Sequence, residues 1–404
     1  MEPVIRPEIQ SHRIDGHTLI TAEVPELDKR MKPCYYRSAG YTNGAFVRVS
    51  DGNRKLSQYE VHMMLSGRGQ PKDDETPVPK TTLDDLQPRL VKGLTSRLRR
   101  RPNGHFSRLS DERILRTIKV LVRLQNRYVC SLAGLLALGK YPQQFFPALG
   151  ITFVVYPGTA VGEPGARQER FLDNERIDGA IPDMLAPTLR ILRRNMRTRS
   201  VVQGLYRADL EEYPITALRE AIVNALAHRD LSAWGQGTPV QVQLFSDRLA
   251  VHNPGGLYGP VTVESLGRDG ISASRNLLLL QILEDTPVRG RNVVCENRGS
   301  GVGAMLQALR AAGLPAAEFE DKIATFRVTL FNTPTQRKRD RGGDIMSLLQ
   351  EHGDLSTIEI AGRLNISGGA VRKWLAVLRR EGTVTPTEEK VSSKNIRYRL
   401  IRRR

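Results

Sequence analysis

Apolar residues recur at intervals of three and four along residues 215–230, ITALREAIVNALAHRD, a pattern that predicts an amphipathic helix. The apolar positions are Leu218, Ile222, Val223, Leu226 and Ala227. Glu220 and Asn224 stand four apart, so they share one face about one turn apart. There the carboxylate can accept a proton from water while the amide oxygen helps to bind Mg²⁺. The alternative is a surface Glu and Asn on a packed helix.

The N-terminal half is divided by its pattern into three segments. Residues 1–66 alternate as short strands, with a hairpin signal at residues 40–44 and a capping box at Ser57 that opens a helix. Residues 67–105 contain five prolines and predict a linker with a short helix around 83–98. Residues 106–205 predict a helical α/β module whose strand is ITFVVYPG.

The C-terminal half predicts two further domains. Residues 206–333 are patterned as strand, helix, hairpin, long glycine-rich loop, helix and strand. A charged linker, 334–342, follows. Residues 343–404 predict three helices and two basic strands, which is the outline of a winged helix-turn-helix. The expected fold class is therefore a multidomain α/β protein.

Charge is concentrated at the C-terminal end. The chain has 404 residues and a formal net charge of +18. Residues 337–404 carry 16 Lys and Arg against 8 Asp and Glu, whereas residues 206–333 carry 12 against 14. A basic module appended to a near-neutral one indicates a nucleic-acid partner.

Cysteine usage and hydropathy predict the compartment. Three cysteines without paired spacing favour neither a disulfide framework nor a zinc site, and they suit a reducing cytosol. No apolar run approaches the ~20 residues that a membrane helix needs. We expect a cytoplasmic protein without a membrane partner.

Two glycine motifs follow the Glu220–Asn224 helix in the sequence. Asn253-Pro254-Gly255-Gly256 ends a predicted strand, and Gly299-Ser300-Gly301-Val302-Gly303 opens a predicted helix, whose backbone N–H groups suit phosphates. In this order the three motifs resemble the N, G1 and G2 boxes of the GHKL (Bergerat-fold) ATP-binding domains. The chain is most similar to bacterial regulators that join a Schlafen AlbA-type domain, a GHKL-like domain and a C-terminal helix-turn-helix. Residues 35–57, YYRSAGYTNGAFVRVSDGNRKLS, resemble the second half of the AlbA-type domain.

This resemblance implies ATP and Mg²⁺ as cofactors and a role for each matching residue. Glu220 would activate water, and Asn224 would bind Mg²⁺. The implied cofactor-binding residues are Asn224, His228, Asn253, Gly255, Gly256, Gly299, Gly301 and Gly303. The sequence His228-Arg229-Asp230 matches the HRD of the same family branch, without an assigned role for its Arg and Asp.

The chain departs from the family pattern at two points. The GHKL enzymes place an Asp before the G1 glycines to accept from the adenine amino group, and here Asn253 stands nearest. An amide accepts without charge, so we expect a lower affinity for ATP. The acidic strand and the Gly-Gly hairpin that begin an AlbA-type domain are missing, which indicates either a late start codon or a degenerate domain. The similarity to Schlafen proteins therefore supplies no nuclease carboxylates.

The candidate DNA-binding residues lie in the predicted winged helix. SGGAVRKWLAVLRREG is the predicted recognition helix, in which Arg372 and Lys373 are the candidates for base contacts and phosphate contacts are expected to dominate. The full candidate set is Arg372, Lys373, Arg379, Arg380, Lys394, Arg397 and Arg399. The alternative is a winged helix that binds protein.

The sequence thus favours a DNA-binding transcriptional regulator whose GHKL-like domain binds a nucleotide and gates the winged helix, with weak ATPase activity left open. One alternative is an ATPase that acts on DNA, although no GxxxxGK[ST] phosphate loop is present. Another is a pseudo-ATPase scaffold that binds no nucleotide. Expected partners are double-stranded DNA and a nucleotide, and a homodimer is one open option for assembly.

Overall fold

A computed structural model gives the fold. It describes the chain except for residues 15, 50–51, 103, 166–167, 204–205, 269–272, 290–291, 296–298, 333–340, 365–367, 381–382, 388–395 and 402–404. The chain divides into two compact units, Met1–Asn332 and Thr333–Arg404.

The first unit mixes helices and strands along its whole length. Its helices are α1 (Gly40–Gly44), α2 (Gln58–Ser66), α3 (Pro88–Arg99), α4 (Asp111–Thr117), α5 (Leu132–Leu138), α6 (Ile181–Asn195), α7 (Ile215–His228), α8 (Leu277–Asp285) and α9 (Gly301–Ala311). Its strands are β1 (Glu8–Ile14), β2 (His17–Glu23), β3 (Phe46–Val49), β4 (Gly52–Lys55), β5 (Leu121–Leu124), β6 (Arg127–Cys130), β7 (Ile151–Val155), β8 (Asp173–Ile177), β9 (Thr198–Gln203), β10 (Tyr206–Glu211), β11 (Val240–Leu244), β12 (Arg248–Pro254), β13 (Pro287–Arg289), β14 (Asn292–Val293), β15 (Glu318–Asp321) and β16 (Thr325–Phe331).

A six-stranded sheet in the order β15-β16-β12-β11-β7-β8 organises this unit. Only β7 and β11 are parallel in it, and the other neighbours are antiparallel. Alternation along β11 buries Val240, Val242 and Leu244 against the helices and turns Gln241 and Gln243 to the other face. The α/β class predicted from the sequence is confirmed. Strands β7 and β8 come from the predicted middle module, so residues 106–205 and 206–333 share one sheet.

Helix α7 lies over this sheet and contacts β12, α6 and α9. Its apolar positions Leu218, Ile222 and Leu226 are fully buried, as the three-and-four spacing predicts. Burial of each such side chain contributes ~1.5–3 kcal/mol, which fixes the rotation of the helix. That rotation sets the direction in which Glu220 and Asn224 face.

The segment predicted as a linker, 67–105, packs into the main core instead. Helix α3 begins with Pro88 at its first turn, where the missing N–H has no helical partner to lose. Its apolar side chains Leu90, Leu94 and Leu98 are buried in the same cluster as the sheet. The prolines therefore lie between short elements or at a helix start within a folded unit.

The segment predicted as a long glycine-rich loop, 255–299, also contains a core element. Helix α8 buries Leu279 and Leu283 completely and contacts α3 and α5. Its sequence LLLLQILED is apolar on nearly every side, so it lacks the amphipathic periodicity that identifies a surface helix.

The N-terminal region pairs differently from the predicted hairpin. Residues 40–44 form α1, and the antiparallel pair is made by β3 and β4, which follow it. The predicted capping box is present, because Ser57 Oγ accepts from the Glu60 N–H and the Glu60 carboxylate accepts from the Ser57 N–H.

The second unit is a winged helix. It contains α10 (Arg341–His352), β17 (Leu355–Ser356), α11 (Thr357–Leu364), α12 (Gly368–Arg380), β18 (Val384–Pro386) and β19 (Arg397–Leu400). The strands form a sheet in the order β17-β19-β18 over a separate core that includes Ile345, Ile360 and Leu375. In the described parts of both units, no helix is long and apolar enough to cross a membrane.

Candidate functional site

A cavity of about 1360 Å³ lies in the first unit, and its walls come from α6, α7, α9 and the inner face of the sheet. It collects residues that are far apart in the sequence. The predicted site residues on its lining are Glu220, Asn224, His228, Asn253, Gly256, Gly299 and Gly301. The three motifs singled out in the sequence therefore meet in space.

Glu220 and Asn224 are joined by a hydrogen bond at one end of the cavity. The Asn224 amide nitrogen donates to Glu220 Oε1 at 2.9 Å. This bond orients the amide and leaves its oxygen as the atom that can bind a cation. The spacing of four residues on α7 produces this contact.

Gly301 lets this carboxylate approach the start of α9. A Cβ placed on Gly301 would lie only 1.7 Å from Glu220 Oε1, so no other residue fits without displacing the glutamate. A carboxylate beside a helix N-terminus is favoured by the positive end of the helix dipole. In this structure Glu220 thus occupies the neighbourhood in which an anionic ligand would bind.

Arginines line the cavity beyond Glu220. The Arg219 guanidinium donates to the carbonyl oxygens of Val293 at 3.1 Å and Val294 at 2.6 Å. Arg190 and Arg193 of α6 are exposed on the same wall. This end of the cavity therefore combines a helix start with basic side chains, which suits phosphates.

Another part of the lining has apolar walls and one buried amide. Phe319, Phe326 and Val328 line it, and the two phenyl rings are stacked with centroids 6.2 Å apart. Asn253 is only 6% exposed, and among the described residues its Oδ1 has no hydrogen-bond partner. An apolar slot with an unsatisfied acceptor suits a flat ring that carries an N–H donor.

The three residues of the HRD sequence have different surroundings. His228 lines the cavity, and burial, with the nearby Arg275 charge, lowers its pKa to about 4. Its imidazole is therefore neutral at pH 7. Arg229 is buried inside the wall and donates to Gly235 O at 3.2 Å and Thr238 O at 2.5 Å. Burial lowers the pKa of Arg229 to about 10.

Asp230 connects the same wall to the N-terminal region. Its carboxylate accepts from Tyr59 Oη at 2.9 Å and from Ser232 Oγ at 2.8 Å. Burial, followed by the charge of Asp230, raises the pKa of Tyr59, so the phenol stays a donor. The Tyr59 ring also stacks on Trp234 with centroids 6.1 Å apart.

Gly255 and Gly303 lie beside the cavity and are not on its lining. Gly255 has φ +91°, and a Cβ there would meet the Asp230 Cβ at 2.9 Å, so its role in this structure is to pack the wall closely. A Cβ on Gly303 would meet nothing nearer than Gly267 O, at 3.7 Å.

The loop after Gly256 is held by side chains from two places. Arg275 is buried and donates to Gly256 O at 2.7 Å. The Gln70 amide nitrogen donates to Arg275 O at 2.8 Å, and the Tyr258 hydroxyl donates to Gly69 O at 2.8 Å. The N-terminal region thus fastens the rim of the cavity.

The described residues contain no group of three or more His, Cys, Asp or Glu placed to hold a metal ion. A cation at Asn224 would take its other ligands from phosphates and water, as Mg²⁺ commonly does in nucleotide sites. Gly301 lets a ligand group come close to the start of α9, and the Asn253 oxygen lacks a hydrogen-bond partner among the described residues. Both features fit a magnesium nucleotide.

The winged helix presents basic side chains on α12 and β19. Arg372 and Arg379 are exposed on α12, opposite the buried Val371, Leu375 and Leu378, as predicted. The side chains of Lys373 and Arg380, and Lys394 as a whole, lie outside the described residues.

Two predicted phosphate-binding residues are already paired within the winged helix. Arg397 contacts Glu359 at 2.9 Å, and Arg399 contacts Asp354 at 3.4 Å. The Ser356 N–H, and then Arg397, lowers the pKa of Glu359. Since both arginines are about half exposed, these ion pairs are weak enough for DNA phosphates to compete.

Comparison with known families gives two matches that describe function. Residues 237–330 match the family described as "Putative ATP-dependent DNA helicase recG C-terminal", an ATPase-type domain, and residues 339–385 match "Winged helix-turn-helix DNA-binding". The chain joins an ATPase-type domain to a DNA-binding winged helix. Residues 62–151 match a domain of unknown function.

The ATPase-type match begins after α7. It therefore includes Asn253 and the glycines from Gly255 to Gly303, whereas Glu220, Asn224 and His228 precede it. Among solved structures, the DIP2311 protein from Corynebacterium diphtheriae is similar at 20% identity and a TM-score of 0.46, over 98% of this chain and 76% of that one. No curated protein matches the chain.

The sequence does not reveal several residues around the cavity. Arg275 lies in the loop with weak periodicity, and no local signal marks it as buried. The sequence marks Arg190 and Arg193 only as part of the polar face of a helix. The alternation along β16 predicts that Phe326 and Val328 face inward. Both residues line the cavity, so this alternation is the sequence feature that could have identified them.

Proposed function

We propose that this protein is a transcriptional regulator in which a GHKL-like domain binds Mg·ATP and thereby changes DNA binding by the winged helix. One observation carries the proposal. The Glu220–Asn224 pair of α7 lies against Gly301 at the start of α9, and Asn253 lies in the same cavity at the end of β12. These are the elements that a nucleotide would need to contact at once.

Each residue has a chemical role in this proposal. The backbone at Gly299 and Gly301 would bind the phosphates, and the Asn224 oxygen would hold Mg²⁺, which neutralises phosphate charge when bound. Asn253 and Gly256 would contact the base.

Glu220 has two effects that can be separated. As a carboxylate it can accept a proton from water, which would give weak ATPase activity. As an anion beside the α9 N-terminus it competes with phosphate for the same positive field. The glutamate must therefore turn away from Gly301 when phosphate binds, and removing its charge should tighten nucleotide binding.

The winged helix would bind duplex DNA through α12 and β19. The exposed Arg372 and Arg379 would contact the groove and backbone, and Lys373, Arg380, Lys394, Arg397 and Arg399 complete the basic set. Gating requires that the nucleotide favour one DNA-binding state over another, because a ligand shifts an equilibrium only by its differential affinity.

The experiment is a DNA titration of the full chain with and without Mg·ATP, followed by fluorescence anisotropy on a fragment of the protein's own promoter. We expect saturating nucleotide to change the DNA affinity by about 5-fold to 150-fold, the usual range of allosteric coupling. Arg372→Ala with Arg379→Ala should weaken DNA binding at every nucleotide concentration and flatten its salt dependence.

An unchanged DNA affinity in protein that demonstrably binds Mg·ATP would refute gating. The adjacency of Glu220 and Asn224 also favours a second candidate, an ATPase that acts on DNA. Turnover that rises with added duplex would support this candidate.

A further inference from the structure

Asn253 is a buried residue whose amide oxygen has no hydrogen-bond partner among the described residues. It is 6% exposed on the inner face of β12 and lines the cavity. Its Oδ1 is enclosed without a hydrogen-bond partner, and its amide nitrogen has no donor contact to any residue that the structure describes. A buried amide left unpaired in this way costs ~1–3 kcal/mol, which a ligand can recover.

Neither oxygen nor nitrogen of this amide is committed to a described residue of the protein. Rotation of the amide by half a turn exchanges its acceptor and its donor at the same position in the cavity. A carboxylate in this place could only accept. Asn253 can therefore present either pattern to a ligand without disturbing a bond within the described part of the chain.

Adenine and guanine present opposite orders of hydrogen-bond donor and acceptor at positions 6 and 1 of the ring. Adenine carries an amino donor at position 6 beside the acceptor N1, and guanine carries the acceptor O6 beside the donor N1–H. One amide can pair with adenine through two bonds, and the rotated amide can pair with guanine through two bonds. The Phe319 and Phe326 rings of the wall accept either ring system, since stacking is tolerant of the base.

We propose that Asn253 gives the cavity a relaxed purine specificity, so that it takes GTP as well as ATP. This inference rests on the proposed nucleotide site and specifies its substrate class as purine nucleoside triphosphates.

The test is calorimetric titration of the full chain with Mg·ATP, Mg·GTP and magnesium tripolyphosphate at pH 8. In the wild type the Kd values for ATP and GTP should agree within about tenfold. Asn253→Asp should weaken ATP and GTP alike, by about tenfold, because adenine N1 and guanine O6 would each face a carboxylate oxygen with no donor between them. Tripolyphosphate binding should not change in this variant, since it has no base.

Two variants protect the test against a folding defect. Asn253→Leu keeps the size of the side chain and removes both hydrogen bonds, so it should weaken ATP and GTP equally. Gln241→Glu makes the same amide-to-carboxylate change on the opposite face of the sheet, where the side chain is half-buried, and should leave both affinities as in the wild type.

A wild-type protein that binds ATP more than 100-fold more tightly than GTP would overturn the relaxed specificity and leave the nucleotide site standing. The relaxed specificity is overturned in the same way if neither Asn253→Asp nor Asn253→Leu changes nucleotide binding as stated. Binding of neither nucleotide by folded protein would overturn the site and this inference together.

Discussion

Two parts of the cavity lining are built in different ways. The part proposed to bind phosphates, here called the phosphate end, is local, because Glu220 and Asn224 are one turn apart on α7 and face Gly301 at the start of one neighbouring helix. The part proposed to bind the base, here called the base end, depends on distant segments, since Asn253 sits beside a wall to which Tyr59 of the N-terminal region is hydrogen-bonded. In this proposal local motifs provide the phosphate contacts, and long-range packing sets the shape around the base.

The largest expected effect concerns chemistry at the phosphate end. Glu220→Gln should lower the rate of ATP hydrolysis by about 10²-fold to 10⁴-fold, the usual contribution of a general base. Binding of Mg·ATP should be retained or tighter, because the competing carboxylate charge is removed. Single-turnover hydrolysis and calorimetry measure the two quantities. Hydrolysis that survives in the variant would remove Glu220 from the catalytic role.

The next effect tests the close approach at Gly301. Gly301→Ala places a Cβ 1.7 Å from Glu220 Oε1, the far end of a flexible side chain that must then turn away, and should cost ~1–1.5 kcal/mol of unfolding free energy, the low end of overpacking effects. The double variant Gly301→Ala with Glu220→Ala removes the clashing group and should recover most of that loss. Denaturant unfolding measures both. An additive pair of effects would show that the two residues do not touch.

A smaller effect is expected where the base end is fastened. Tyr59→Phe removes one donor from the buried Asp230 carboxylate, which keeps its Ser232 contacts, and should cost ~1 kcal/mol of stability. Tyr36→Phe is a matched control, because Tyr36 is 50% exposed and should change stability by less than ~0.5 kcal/mol. Equal effects in denaturant unfolding would contradict the long-range character of this end.

The last effect appears only at acid pH and comes from His228, whose pKa is lowered from 6.5 to about 4 in the folded protein. Between these values the unfolded chain binds the proton more readily, so this contribution to stability is complete above pH ~6.5 and is lost as the pH falls toward 4. His228→Asn should reduce the slope of unfolding free energy against pH in this window. Denaturant midpoints at several pH values measure the slope, and an unchanged slope would refute a neutral, protected imidazole.

Sequence patterns predict those elements in which apolar residues recur at a regular spacing. Helix α7 has apolar residues on one face and polar residues on another. The sequence therefore predicts both the limits of the helix and the face that carries Glu220 and Asn224. The winged helix is readable for the same reason, as Val371, Leu375 and Leu378 mark the buried face of α12. Glycine motifs at the ends of elements indicate the phosphate end without any knowledge of contacts.

Other parts could not be predicted because their signals depend on distant partners. Helix α8 carries an apolar residue, Leu277, even on its exposed face, so its sequence shows little periodicity to detect. The segment 67–105 resembles a linker until Leu90 and Leu94 are seen packed in the core of the sheet. Burial of Arg275 follows only from the contacts of a loop with Gly256 and the N-terminal region.

Thermal unfolding of the full chain with and without Mg·ATP tests the central claim most directly. If the cavity binds the nucleotide, a concentration 100 times the Kd should add ~2.7 kcal/mol to the unfolding free energy. The gain should be lost in Gly301→Ala, in which the approach to the α9 start is blocked. Folded wild-type protein whose unfolding does not shift at millimolar Mg·ATP would contradict a nucleotide site.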